Sequence, residues 1–222
     1  MIRGIFFDAA DVFYARHQST GAFAIELLKR RNYATNLSEH DLTEQKALHM
    51  QATEGRIGHA EYWDRFLQMR RVMDVTLRQS LIEQIIACAN DVYAIPGGRE
   101  AMAGLKQHGF VLGIVTDTIY PAEWKMRWLA QVGVAEFIDV VACSTVLGAH
   151  KPHPELYVNA MRQANLSPSE SAFVGHDAGE LAGAHRAGMT TVAVNYDADA
   201  QADFYCKSLL DLLNVPIFQN SR

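Results

Sequence analysis

Short apolar runs alternate with longer amphipathic stretches over most of the 222-residue chain. The apolar runs predict strands at Ile2–Phe7, Val111–Val115, Val140–Cys143, Ala172–Val174 and Thr191–Val194. Apolar positions at helical spacing predict helices at Arg99–His108, Ala122–Val132, Pro154–Ala164 and Glu180–Ala187. Gly109, Gly133 and Gly188 follow three of these helices, where a left-handed C-terminal cap favours a residue without Cβ. The alternation predicts an α/β fold with a Rossmann-like core, in which helices cover both faces of a parallel sheet in three layers.

The interval from Tyr14 to Asn90 departs from this rhythm, because it contains no convincing strand and several helical patterns. Ser38, with Asp41 three residues later, predicts the start of one of these helices. Apolar residues at helical spacing would give the interval a core of its own, made of Trp63, Phe66, Leu67, Leu77, Leu81, Ile85 and Ile86. We therefore predict an α/β core domain of residues 1–13 and 91–222 and an inserted α-helical cap domain of residues 14–90.

The composition of the chain limits the kinds of molecule that we expect it to bind. A net charge of −5 and a pI near 6.0 provide no basic surface for nucleic acid, so we expect a small-molecule partner. The apolar run that ends at Asp8 is too short for a signal peptide, and no apolar run is long enough to cross a membrane. The chain has three cysteines, an odd number, and they lie far apart in sequence: Cys88, Cys143 and Cys206. This favours reduced thiols over disulfide bonds, and therefore a cytoplasmic protein. The oligomeric state stays open.

Four segments with unusual polar residues follow the predicted strands. They are Phe7-Asp8-Ala9-Ala10-Asp11, Val115-Thr116-Asp117-Thr118, His150-Lys151-Pro152-His153-Pro154 and Val174-Gly175-His176-Asp177-Ala178-Gly179-Glu180. The carboxyl ends of parallel strands converge on one crevice, so we expect these segments to surround a single ligand. A carboxylate there can act as a nucleophile whose covalent intermediate water later clears, and Asp8 is our candidate. Lys151 would supply a positive charge that holds this carboxylate and an anionic substrate together.

In order and spacing, the four segments resemble the four motifs of the haloacid dehalogenase (HAD) superfamily, and Lys151-Pro-x-Pro is the most specific of them. The resemblance covers nearly the whole chain. It implies a hydrolase with a helical cap, and more specifically a phosphatase that acts on a small phosphomonoester through an aspartyl-phosphate at Asp8. The site residues that it implies are Asp8 and Lys151 for catalysis, Thr116, Asp117 and Lys151 for substrate binding, and Asp8, the Ala10 carbonyl, Asp177 and Glu180 for a magnesium ion.

Three positions depart from the pattern of the family's phosphatases. Ala10 stands where a second Asp usually protonates the leaving group, and Asp11 is a less favoured, displaced replacement. His176 stands where the family has an Asp, and imidazole is a poor ligand for magnesium, so either Asp177 or Glu180 replaces it or the metal site is weak. Asp117 adds a carboxylate where a neutral Asn is common. These departures keep two alternatives open: a non-catalytic or weakened HAD-fold binding protein, and a 2-haloacid dehalogenase-type carbon–halogen hydrolase that needs no metal.

Overall fold

The computed structural model describes residues 1–219. Its strands are β1 (Gly4–Phe7), β2 (Tyr14–Ala15), β3 (Tyr93–Ala94), β4 (Val111–Thr116), β5 (Val140–Cys143), β6 (Ser171–Gly175), β7 (Thr190–Val194) and β8 (Phe204–Cys206). Its helices are α1 (Thr20–Lys29), α2 (Glu39–Thr53), α3 (His59–Gln68), α4 (Val75–Asn90), α5 (Gly98–Gln107), α6 (Ala122–Gln131), α7 (Ser144–Leu147), α8 (Pro154–Ala164) and α9 (Ala178–Arg186).

Six strands form one parallel sheet in the order β5-β4-β1-β6-β7-β8. Strand β1 is central, and its side chains alternate between the two faces, as the period of a strand requires. Ile5 and Phe7 join the cluster under α5 and α6, whereas Phe6 joins the opposite cluster under α8 and α9. The predicted three-layer Rossmann-like fold is confirmed.

The predicted element bounds agree closely with the structure, and the differences have local causes. Helix α9 begins at Ala178 rather than Glu180, because Asp177 is its N-cap and accepts a hydrogen bond from the backbone N–H of Glu180 at 2.9 Å. Gly109, Gly133 and Gly188 have φ values of 87°, 75° and 83°, as the predicted left-handed positions require. The short elements β8 and α7 were not predicted.

Helices α1 to α4 lie between β2 and β3 and share a hydrophobic cluster of their own. Five of its predicted members are buried there: Trp63, Phe66, Leu67, Leu81 and Ile85. Leu77 is partly buried against the cluster, and Ile86 lies outside it. We call α1 to α4 the helical insertion; its status as a separate domain with the predicted bounds 14–90 stays a prediction.

The expectation that the interval from Tyr14 to Asn90 holds no strand was wrong at its first residues. Tyr14 and Ala15 form β2, which pairs antiparallel with β3 through Tyr14–Ala94 and Ala15–Tyr93. Two residues are too few to give a periodic signal, so a sequence pattern does not reveal such a pair. The chain therefore enters and leaves the helical insertion through adjacent strands.

We call the parallel sheet with its flanking helices the sheet domain. Aromatic contacts hold the helical insertion against it. The indole N–H of Trp63 in α3 donates to the hydroxyl of Tyr120 at 3.2 Å, and both side chains are buried. The ring of His59 packs on Trp124 of α6 with centroids 4.8 Å apart. Among residues 1–219, no helix is long and apolar enough to cross a membrane, and all three cysteines are free.

Candidate active site

Asp8 directly follows the central strand β1 at the carboxyl end of the sheet. Its backbone N–H donates to the carbonyl of Val174 in β6 at 2.9 Å, which extends the strand pairing to the site residue. The side chain is buried, with 5% of the residue exposed. The sheet therefore fixes the position of the carboxylate that the sequence singles out.

Lys151 reaches this carboxylate from the loop before α8. Its Nζ lies 2.5 Å from Asp8 Oδ1 and 2.7 Å from Glu180 Oε2. The backbone N–H of Lys151 donates to both carboxylate oxygens of Asp117, at 3.2 and 3.1 Å. Asp117 thus ties the loop after β4 to the lysine loop, which gives its carboxylate a positioning role that the sequence did not suggest.

Close packing brings α9, and Glu180 with it, to the lysine loop. A Cβ on Gly183 would lie 2.7 Å from Pro152 Cβ and 2.8 Å from the hydroxyl of Tyr157, so only glycine permits this approach. Tyr157 in turn donates to the backbone carbonyl of Glu180 at 2.8 Å. Glu180 Oε2 is buried and, among residues 1–219, has no aligned hydrogen-bond donor, although Lys151 is within ion-pair distance.

The charges of this cluster shift its pKa values in opposite directions. Burial raises the pKa of Asp8, but the charges of Lys151 and Lys125 outweigh burial and place it below the ordinary value of 3.8. Burial and the Asp8 charge raise the pKa of Glu180 to about 8, and burial also raises the pKa of Asp117. At neutral pH, Asp8 is therefore ionised, whereas Glu180 is largely protonated.

The other predicted residues differ in how they relate to this centre. Thr116 is fully buried at the end of β4, and its hydroxyl donates weakly to the Asp117 carbonyl at 3.4 Å. His176 Nε2 lies 3.8 Å from Asp8 Oδ2. Asp11 is exposed with a φ of 58°, and no hydrogen bond or ion pair joins it to Asp8 within residues 1–219. The structure thus brings Lys151 and Glu180 to Asp8 and leaves Asp11 at the surface.

The donor set can be tested against the predicted magnesium ion. Lys151 faces the three carboxyl groups of Asp8, Asp117 and Glu180, and the buried Glu180 Oε2 has no aligned donor within the described chain. The pKa values of Asp117 and Glu180 are raised by burial, so a divalent cation bound here would displace the proton of Glu180 and neutralise the carboxylates together. Magnesium commonly uses one or two carboxylates and completes its shell with water. The cluster therefore fits the ion by charge. No group of three His, Cys, Asp or Glu side chains in residues 1–219 is arranged to hold a metal, so carbonyl and water ligands would have to complete the shell.

One residue near the site, Lys125, was missed by sequence reasoning. Lys125 of α6 is buried, with 5% of the residue exposed, and donates to the hydroxyl of Tyr14 at 3.0 Å. Its charge is one of those that lower the pKa of Asp8. The available signal was its spacing: Lys125 lies three and four residues before the buried Trp128 and Leu129, on the apolar face of the helix.

Comparison with known proteins places this geometry in a family. The model of the haloacid dehalogenase-like hydrolases matches residues 13–194, which include the segments of Thr116, Lys151 and Glu180. A glyceraldehyde 3-phosphate phosphatase of Methanopyrus kandleri is 27% identical over 202 residues, which are 87% of this chain and 84% of the relative. A phosphoglycolate phosphatase of Nitrosococcus oceani is 25% identical over 127 residues, which are 54% of this chain and 56% of the relative.

A solved structure supports the same assignment at the level of the fold. The 2-haloacid dehalogenase from Pseudomonas syringae pv. tomato superposes with a TM-score of 0.69 at 20% identity, over 96% of this chain and 97% of that one. At this identity the likeness concerns the fold alone, whereas the family match covers most of the sequence. The chain therefore belongs to the haloacid dehalogenase-like hydrolases and is a hydrolase.

Proposed function

We propose that this hydrolase is a phosphatase that acts on small phosphomonoesters through an aspartyl-phosphate at Asp8. The observation that supports it most directly is the contact of 2.5 Å between the Lys151 ammonium and the Asp8 carboxylate at the end of the central strand. Two relatives named as phosphatases, for glyceraldehyde 3-phosphate and for phosphoglycolate, agree with this reaction class.

The side chains suggest a role for each step. The ionised Asp8 attacks phosphorus, an Asp8 O–P bond forms, and the bond from phosphorus to the leaving oxygen breaks. Water then attacks the aspartyl-phosphate and releases inorganic phosphate, which restores the Asp8 carboxylate. Lys151 and Thr116 bind the phosphoryl oxygens during both displacements. Asp8, the Ala10 carbonyl, Asp177 and Glu180, the last after loss of its proton, would hold a magnesium ion, which would supply further positive charge.

The leaving oxygen gains a proton before or after it departs. The methyl side chain of Ala10 has no acidic proton to donate to it. Glu180 holds a proton at neutral pH because its pKa is about 8. A protein without a carboxyl group at position 10 should favour leaving groups that depart as stable anions, such as phenolates.

We propose that the helical insertion is a cap that controls access to Asp8, which is nearly covered in this arrangement. The paired strands β2 and β3 are its two covalent connections to the sheet domain, and a rotation there would open the site. The three free thiols of Cys88, Cys143 and Cys206 fit a reducing compartment, so we place the reaction in the cytoplasm.

The test is hydrolysis of p-nitrophenyl phosphate and a panel of phosphomonoesters with magnesium, compared with EDTA. We expect turnover by the wild type, at least about 1,000-fold loss in Asp8→Asn, and a phosphoryl adduct by mass spectrometry that Asp8→Asn lacks. Asp199→Asn, at an exposed position, is the matched control and should retain the wild-type rate. No wild-type turnover above Asp8→Asn across the panel would refute the phosphatase.

A carbon–halogen hydrolase is the second candidate, favoured by Ala10 and by the lack of a ready metal-binding group among residues 1–219. In that reaction Asp8 would displace halide from carbon, and water would hydrolyse the resulting ester. Chloride release from 2-chloropropionate in EDTA, absent in Asp8→Asn, would replace the phosphatase proposal with this one.

A further inference from the structure

A cavity of about 550 Å³ lies between the helical insertion and the carboxyl end of the sheet. Asp117 of the site and Trp63 of α3 are among its lining residues. The Lys and Arg side chains that line it are Arg16, Arg70 and Lys125, and Asp117 is the one acidic side chain found there within the described chain. We call this space the insertion cavity; cations outnumber anions among the charged side chains of its wall.

Two of these cations lie against the same pair of aromatic rings. The guanidinium carbon of Arg16 is 5.4 Å from the Tyr14 ring centroid and 4.5 Å from that of Trp128. The Lys125 ammonium is 5.7 and 5.8 Å from the same two centroids. Cation–π contacts offset part of the cost of removing these charges from water, but they do not relieve the repulsion between the two cations.

The hydrogen bonds of the two cations are incomplete. Arg16 donates through Nε to the carbonyl of Ala89 at 2.8 Å, while its Nη2 is buried and has no partner among residues 1–219. Lys125 donates to the Tyr14 hydroxyl at 3.0 Å. In the part of the chain that the structure describes, no carboxylate lies within ion-pair distance of Arg16 or Lys125. Lys125 is buried and Arg16 is half-buried, and charges in such positions are normally paired, so the geometry calls for an anion from outside the protein.

Arg70 is engaged differently and lies outside this pair. It donates to the carbonyl of Phe66 at 3.0 Å and to the side chain of Gln45, and it stacks on the Phe66 ring. Its contacts are with the helical insertion itself, whereas Arg16 and Lys125 lie where β2 meets α6. Arg70 Nε is also buried without a partner within residues 1–219, but its other guanidinium nitrogens are occupied by these two acceptors of the helical insertion. The Arg16–Lys125 pair differs because its two cations share one pair of aromatic rings next to the sheet, and this pair is the site that we consider.

We propose that Arg16 and Lys125 bind a carboxylate of the substrate, so that the ligand of this site is a phosphorylated carboxylic acid. The inference rests on the proposed phosphatase function for the phosphoryl end, which faces Asp8. A carboxylate accepts hydrogen bonds from a guanidinium and an ammonium at once, and it neutralises part of their charge. Asp117 lines the same cavity, and its carboxylate accepts the backbone N–H of Lys151, whose ammonium contacts Asp8. A ligand held by the pair and extending past Asp117 would therefore bring its phosphoryl group to Asp8.

The experiment compares phosphomonoesters that differ only at the distal group. The pairs are 2-phosphoglycolate with ethyl phosphate, 3-phosphoglycerate with glycerol 3-phosphate, and 6-phosphogluconate with sorbitol 6-phosphate. They place the carboxylate at increasing distance from the phosphoryl group. Binding is measured by calorimetry on the Asp8→Asn protein, which cannot form the covalent adduct, and kcat/KM is measured on the wild type. At least one carboxylated member should bind about 10- to 100-fold more tightly than the counterpart that lacks the carboxylate.

Substitutions test whether Arg16 and Lys125 cause the preference for a carboxylated ligand. Arg16→Leu and Lys125→Met, each in the Asp8→Asn background, should lower the ratio of affinities at least about 10-fold. The ratio within one protein is independent of its folded fraction, so partial unfolding does not imitate the effect. Arg127→Leu is the matched control, because Arg127 lies on the same helix, stacks on Trp124 and does not line the cavity; its ratio should stay at the wild-type value.

The outcomes separate the two proposals. Equal affinity for both members of every pair, or a preference that survives in Arg16→Leu and Lys125→Met, overturns the carboxylate site even if p-nitrophenyl phosphate is hydrolysed. A carboxylate preference that is lost in both variants supports the site even if no phosphomonoester is turned over, and in that case only the phosphatase proposal fails.

Discussion

Replacing Glu180 by Gln should make the protein more stable at alkaline pH, although Glu180 contacts the buried Lys151. The folded-state pKa of Glu180 is about 8, against an ordinary value of 4.5. Below about pH 4.5 both the folded and the unfolded chain hold the proton, so the glutamate does not lower the free energy of unfolding. Between those values only the folded chain keeps it, so stability falls as the pH rises, and above about pH 8 the cost is complete.

The size of the effect follows from the same pKa values. Each pKa unit is about 1.4 kcal/mol, so the difference between 4.5 and about 8 corresponds to about 5 kcal/mol. The side chain is 18% exposed, and solvent screening reduces this figure, so we expect a gain of about 2–4 kcal/mol. Glutamine keeps the shape and removes the charge, and the Asp8 carboxylate remains to pair with Lys151.

Urea unfolding at about pH 5 and about pH 8.5, with EDTA to remove divalent ions, measures this difference. Glu180→Gln should match the wild type within about 1 kcal/mol at the lower pH and exceed it at the higher one. Glu155→Gln, at a side chain that is 43% exposed, is the control and should change stability by under about 0.5 kcal/mol at both pH values. A Glu180→Gln variant that is less stable than the wild type at pH 8.5 would refute the reasoning.

Three further substitutions test the packing of the chain and the chemistry of the site. Gly183→Ala should destabilise the protein by about 1–3 kcal/mol in thermal unfolding, since its Cβ would lie 2.7 Å from Pro152 Cβ. Gly21→Ala, in α1 with no atom within 4 Å of the new Cβ, should stabilise it by about 0.5–1 kcal/mol. Ala10→Asp should raise the rate for alkyl phosphates relative to aryl phosphates by at least about 10-fold, and an unchanged ratio of the two rates would show that position 10 does not limit proton transfer.

The sheet and its flanking helices were predictable because burial of one face gives each element a periodic spacing of apolar residues along the sequence. Strand β5 and helix α8 were predicted with the bounds that the structure shows, and the other strands of the initial prediction differ by two residues or fewer at either end. The position of Asp8 and the approach of Lys151 followed from topology, because parallel strands present their carboxyl ends to one crevice.

The rest of the site depends on contacts that no local pattern encodes. In the sequence, Lys125 is one polar residue of an amphipathic helix. Only the fold brings it into contact with Tyr14, which lies more than a hundred residues earlier in the chain. In the sequence, Asp117 is only an added carboxylate where a neutral Asn is common, whereas in the fold its oxygens accept the Lys151 backbone N–H. The pKa of Glu180 depends on burial and on three neighbouring charges from separate segments, so it emerges only in the folded chain.

The β2–β3 pair also bears on how this protein can diversify. Because the chain leaves and rejoins the sheet domain through neighbouring strands, the parallel sheet keeps its register whatever the length or sequence of the intervening helices. Changes that reshape the wall facing the ligand therefore carry little penalty for the strands that position Asp8, the proposed nucleophile. Selection can alter which molecules enter while it leaves the reacting groups in place.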